Sequence, residues 1–165
     1  MFAWPLTEDW TDVRATLELF ATLKLHLALA DDSGVSIGGL SLMLEFDALG
    51  GRQGAAVLRF CDQSNWHLGR FDFGEEETHS NRRAISQGCS GVPALVRGSH
   101  CHQFGLNERL GADAFRATTG CPPAAIPIVD DPPSFRQRMR LVSAEFNIEG
   151  LDDIPPPPFQ GDLLR

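Results

Sequence analysis

Three short runs hold most of the residues able to do chemistry: Arg70-Phe71-Asp72, Thr78-His79-Ser80-Asn81, and Gly98-Ser99-His100-Cys101-His102-Gln103-Phe104. If residues 99–104 form a strand, successive side chains alternate between its faces. His100 and His102 then project together, and Cys101 projects the other way. Two neighbouring imidazoles can act as acid and base on one bond, or can hold a metal. His79 would complete a set of three if its loop folds over that strand. Asp72 has the chemistry to orient a histidine. Arg70 brings a planar fork suited to a phosphate, and Asn81 adds an amide able to orient a substrate.

These residue types leave the metal open and imply no particular cofactor. An H-x-H pair on a strand is also compatible with plain surface polarity, and a histidine in a Thr/Ser/Asn run can simply bond its own turn. His26 and His67 are expected to be structural. A Cys–His hydrolase built on Cys101 or Cys89 is disfavoured, because a regular strand turns Cys101 away from its neighbouring histidines. No glycine-rich run has the spacing or the strand-to-helix setting of a phosphate-binding loop.

The elements that must position these runs follow from periodicity. The spacing of Val13, Leu17, Phe20, Leu23, Leu27 and Ala30 predicts an amphipathic helix over about 9–30, capped by Thr7 or Asp9. Strands are expected at 41–46, 55–61 and 66–73, the last two as an antiparallel hairpin across Asp62-Gln63-Ser64-Asn65. In the last strand Arg70 and Asp72 share one face, Phe71 and Phe73 the other. Residues 74–97 read as a long loop, followed by the short strand 99–104. A second helix is expected from about Pro132 to Ile148, capped by Asp131, burying Phe135, Met139, Val142 and Phe146. Arg136, Arg138 and Arg140 should form its solvated face. The fold class is α+β, an antiparallel sheet with an N-terminal and a C-terminal amphipathic helix packed on it. Residues 1–150 form one domain, and 151–165, with four consecutive prolines, an extended tail.

A chain of 165 residues with 42% hydrophobic content can build its own core, so a metal would serve chemistry more than stability. Residues 1–9 lack a basic leader, and Glu18, Lys24 and His26 interrupt the apolar stretch 17–30. We therefore expect no signal peptide and no membrane span, and a cytoplasmic protein whose mature form begins at Met1. The four cysteines, Cys61, Cys89, Cys101 and Cys121, are widely spaced and are expected as free thiols. A net charge of −8 argues against general nucleic-acid binding. The segment from Arg52 to Arg116 nonetheless carries eight arginines against seven acids, so a near-neutral centre able to accept phosphate lies between acidic ends.

The ordered set Arg70-Phe71-Asp72, His79-Ser80-Asn81, Gly98 to Phe104 and Phe146-Asn147-Ile148 resembles an uncharacterised family of small bacterial and phage-borne proteins with R-x-D, H-[ST]-N and G-x-H-x-H-x-[YF] motifs. More distantly it is similar to small toxins of toxin–antitoxin pairs, some thought to act on RNA. At the [YF] position this chain carries Phe104 rather than tyrosine, so the hydroxyl a tyrosine would bring is absent. The resemblance implies a shared site and supplies no reaction.

The leading expectation is a toxin-like or defence-related enzyme acting on a phosphodiester, with a nucleic acid or nucleotide at the site. His79, His100, His102 and Asp72 would be its catalytic set, and Arg70 and Asn81 its substrate contacts. The competitor is a non-catalytic acidic module, such as a phage inhibitor of a host defence complex, meeting a basic protein partner through its acidic surface. A third expectation, a subunit of a larger assembly, requires a large exposed apolar face.

Overall fold

Strict alternation decides the first long element. In Thr22–Ala30 the leucines at 23, 25, 27 and 29 are buried, while His26 and Ala28 are exposed. That is the period of a strand with one wet face. The expected N-terminal helix is therefore corrected over 22–30. Its leucines also fit three-and-four spacing, but a period of two places all four on one side without exception. The computed structural model describes residues 11–12, 22–47, 53–62, 64–116 and 121–157, so most of the remaining helix expectation lies outside the described residues.

The strands are β1 (Thr11–Asp12), β2 (Thr22–Ala30), β3 (Ser36–Asp47), β4 (Gly54–Cys61) and β5 (Asn65–Phe73). They run as an antiparallel meander, which β8 (His100–His102) and β9 (Ile126–Pro127) extend beyond β5. The expected β4–β5 hairpin is present, with a bulge at Leu58/Arg59. Helix α3 (Phe135–Phe146) begins later than expected and is capped by the Ser134 hydroxyl, not by Asp131. It buries Met139, Val142 and Phe146 against Leu25, Leu27, Leu42, Leu44, Phe71 and Phe73. Phe146 meets Phe71 edge-on at 5.4 Å, and Phe135 meets Phe46 at 5.2 Å. Such pairs contribute about 0.5–1.5 kcal/mol each beyond their burial.

Two further expectations are corrected on this side. Arg138 is buried, with its guanidinium 5.0 Å from the Phe73 ring centroid and Nε donating to the Pro132 carbonyl. A guanidinium over an aromatic face is attracted to the ring's negative π-face, which stabilises it there. The segment after 150 is not simply an extended tail, because Leu151 and Ile154 belong to the core. Among the described residues no helix is long and apolar enough to cross a membrane.

Gly69 sits where α3 crosses β5. A Cβ at this position would lie 2.5 Å from Cε1 of Phe146. Gly69→Ala should therefore cost about 1–3 kcal/mol as the ring is displaced, read as a lower urea midpoint at unchanged slope. An unchanged midpoint would contradict this packing.

On the other face of the sheet, the β5–β8 end is covered by the segment that follows β5. There the expected 74–97 loop folds into β6 (Thr78–Ser80), α1 (Arg82–Ser86) and β7 (Leu95–Arg97), with β6 and β7 paired as a small second sheet. The expected strand 99–104 is shorter, since Phe104 opens α2 (Phe104–Asn107) and stacks on Phe115 at 4.9 Å. All four cysteines are free thiols.

Candidate functional site

Register places the central residues. Between β5 and β8, Arg70 lies opposite His102, Phe71 opposite Cys101, and Asp72 opposite His100. Phe71 and Cys101 face the α3 side and join the core. The alternation of both strands therefore sends Arg70, Asp72, His100 and His102 to the opposite face as one four-residue patch. His79, from β6, closes over this patch. Its ring centroid lies 4.5 Å from that of His102 and 5.7 Å from that of His100, and the last two are 5.2 Å apart. The three ligand-capable nitrogens all lie within 4.8 Å of one another.

Two of the three tautomers follow from bonding. His79 Nε2 lies 3.0 Å from the Pro123 carbonyl, and His100 Nδ1 lies 2.9 Å from the Gly98 carbonyl. A carbonyl only accepts, so each of these nitrogens carries the proton and donates. Neutral His79 then keeps its lone pair on Nδ1, and neutral His100 on Nε2. A backbone carbonyl fixing one nitrogen while the other faces inward is the arrangement metal-binding histidines use.

His102 differs from both. Its side chain is fully buried, and neither ring nitrogen has a hydrogen-bond partner. Its Nε2 lies 3.5 Å from Asp72 Oδ2, within charge contact but outside hydrogen-bond geometry. His100 Nε2 lies 3.5 Å from the same oxygen. A lone pair and a carboxylate oxygen face each other there, which a cation or proton between them would relieve.

Asp72 is held by Arg70, whose Nε donates to both carboxylate oxygens at 2.8 Å while Nη2 donates to Oδ1. Burial pushes the Asp72 carboxyl upward, but contact with His102 and with the Arg70 guanidinium outweighs it and brings the group to about 2. Asp72 is thus an anion at any ordinary pH. Burial pushes His102 down, against the pull of Asp72. It also pushes His79 down, against the Pro123 carbonyl and helped by the other two rings. Both imidazoles are therefore biased toward the neutral, ligand form.

Of the expected residues, His79, His100, His102, Asp72 and Arg70 lie together in one cluster. Asn81 sits beside it in a supporting role. Its side chain is wholly buried, with Nδ2 donating to the Pro93 and Ala125 carbonyls and Oδ1 accepting from the Ala125 amide. Asn107 grips the preceding peptide in the same way, through the Ala124 amide and carbonyl. Together they fix residues 123–125, and hence the Pro123 carbonyl that orients His79. Asn81→Ala would leave the buried Ala125 amide and carbonyl unpaired at about 1–3 kcal/mol each. We expect a loss near the middle of that summed range in chemical denaturation, and a loss below about 1 kcal/mol would contradict this role.

Sequence reasoning did not find Cys121. Its half-buried Sγ lies 3.8 Å from His79 Nδ1, and burial raises its thiol, partly offset by Arg70. Only its place beside Pro122-Pro123 distinguished it in the sequence, and that pattern carries no ligand signal. Cys101 is buried in the core, where burial pushes its thiol far up, so it is no nucleophile.

Comparisons with protein-family models, with curated proteins and with solved structures find no match to this chain.

Proposed function

We propose that the chain is a small metal-assisted hydrolase acting on phosphodiesters, with its cation held by His79, His100 and His102. The observation that carries this reading is His102. An imidazole fully buried with neither nitrogen hydrogen-bonded costs stability, and it stands with two more imidazoles, one ligand atom of each lying within 4.8 Å of the others. Imidazole donors suit zinc and the late first-row metals over magnesium or calcium. A cation in such a site supplies Lewis acidity and a water nucleophile at neutral pH.

The anionic substrate is supported by the arginine beside the cluster. Arg70 is partly exposed, and its Nη1 has no acceptor among the described residues. Arg70 would bind a phosphate oxygen with the nitrogen that Asp72 leaves unused. Asp72 would hold the Arg70 fork and balance the charge of the centre.

The test is hydrolysis of bis(p-nitrophenyl) phosphate and of single-stranded RNA by zinc- and manganese-loaded protein, beside His102→Ala. We expect cation-dependent cleavage by the wild type and a loss of at least about 100-fold in the variant, the scale on which removing a stabiliser of transition-state charge acts. No cleavage by loaded wild type, or equal cleavage by the variant, would overturn the reading.

A further inference from the structure

Resting on the proposal that the three histidines hold a cation, we infer that Cys121 is the fourth ligand of that centre, giving a closed site of three imidazole nitrogens and one sulfur. The geometry of the His79 pair carries this. His79 Nε2 is committed to the Pro123 carbonyl, so Nδ1 is the nitrogen left to bind, and it is the atom that Cys121 Sγ faces at 3.8 Å. In a tetrahedral zinc site, with Zn–N of about 2.0–2.1 Å and Zn–S of about 2.3 Å, adjacent nitrogen and sulfur ligands are about 3.6 Å apart. That one pair is already near this separation, while Sγ is not among the ligand atoms that lie within 4.8 Å of one another and would have to move inward to complete the site. The corresponding nitrogen–nitrogen separation is about 3.4 Å, so the 4.8 Å spread of the imidazoles would contract when a cation enters.

A second observation is independent of the cysteine. His102 is wholly buried, unpartnered and directed into the same cluster, so the cluster calls for a ligand without any appeal to sulfur. Cys121 stands shortly before the peptides clamped by Asn81 and Asn107, so the position of its backbone is defined from one side. The thiol gives up its proton to solvent when it binds, and a thiolate beside three imidazoles selects zinc, cobalt or copper over hard cations. A four-ligand centre has no open position, so a phosphate or water must displace the sulfur before chemistry. The cysteine would then act as a gate on the site.

Cobalt(II) titration of the full chain tests this, with wild type beside Cys121→Ser and Cys89→Ser. The expected result is one equivalent of cobalt in all three. An intense near-ultraviolet sulfur-to-cobalt band should appear in wild type and Cys89→Ser and be lost in Cys121→Ser, with zinc affinity lowered about 10- to 100-fold in that variant, on the scale of a lost supporting group or more. Stoichiometric cobalt without a sulfur band in wild type would overturn the fourth ligand and leave the three-histidine centre standing. A band that survives Cys121→Ser would do the same. No cobalt or zinc bound by wild type would overturn the centre itself, and the cysteine ligand with it.

Discussion

His102→Leu is expected to make the metal-free protein more stable while abolishing its response to zinc. Leucine has a volume close to that of imidazole and carries no polar atom. It therefore removes a buried Nδ1 with no partner, which costs about 1–3 kcal/mol, and an Nε2 that makes no hydrogen bond and meets Asp72 Oδ2 at 3.5 Å. Part of that gain is offset by imperfect packing, so a net stabilisation of about 1–2 kcal/mol is expected. For a chain of this size that raises Tm by about 2–8 °C. The wild type should instead gain about 2.7 kcal/mol from zinc at 100 times Kd, and the variant nothing. Ordinary core residues behave in the opposite way, losing stability when they are changed. A variant that is less stable in the metal-free state, or that zinc still protects, would show that His102 is a packing residue and no ligand.

Asp72→Asn carries the second large effect. It removes the anion that Arg70 grips with two nitrogens and that two histidines face at 3.5 Å. Breaking a buried pair from one side costs about 3–5 kcal/mol. Arg70 keeps some solvent contact, so the lower end of that range is expected, measured as a fall in the urea midpoint. Zinc affinity should fall as well, by about 10- to 100-fold, because the carboxylate neutralises and orients the imidazoles in addition to holding the fold. The double variant Arg70→Met/Asp72→Leu separates the two roles. Replacing both partners with apolar groups should recover most of the stability and none of the zinc affinity. Recovery of both together would mean that Asp72 matters only to the fold.

The site was more legible in the sequence than the fold around it. Alternation in Arg70-Phe71-Asp72 and in His100-Cys101-His102 needs only the period of a strand, and both faces came out as that period requires. What the sequence did not display is that these strands are neighbours. Their pairing spans 28 to 32 residues of chain and depends on β6, α1 and β7 folding over one end of the sheet. Short elements of three to five residues give periodicity too little length to register. Over 22–30 the N-terminal helix expectation failed for a different reason. Leu23 and Leu27 satisfy a helical stripe and a strand face equally, and only Leu25 and Leu29 distinguish them. Arg138 was misplaced because a charge on a helix is normally solvated, whereas here its guanidinium lies over the Phe73 ring. Cys121 was invisible because its partner lies 42 residues away.

The most direct test of the central claim is zinc stoichiometry. Metal-stripped wild-type protein would be titrated with zinc beside His102→Leu, with bound metal counted after dialysis. The histidine centre predicts one tightly held equivalent in the wild type and none retained by the variant. Wild-type protein that retains no zinc, or a variant that retains as much, would contradict it.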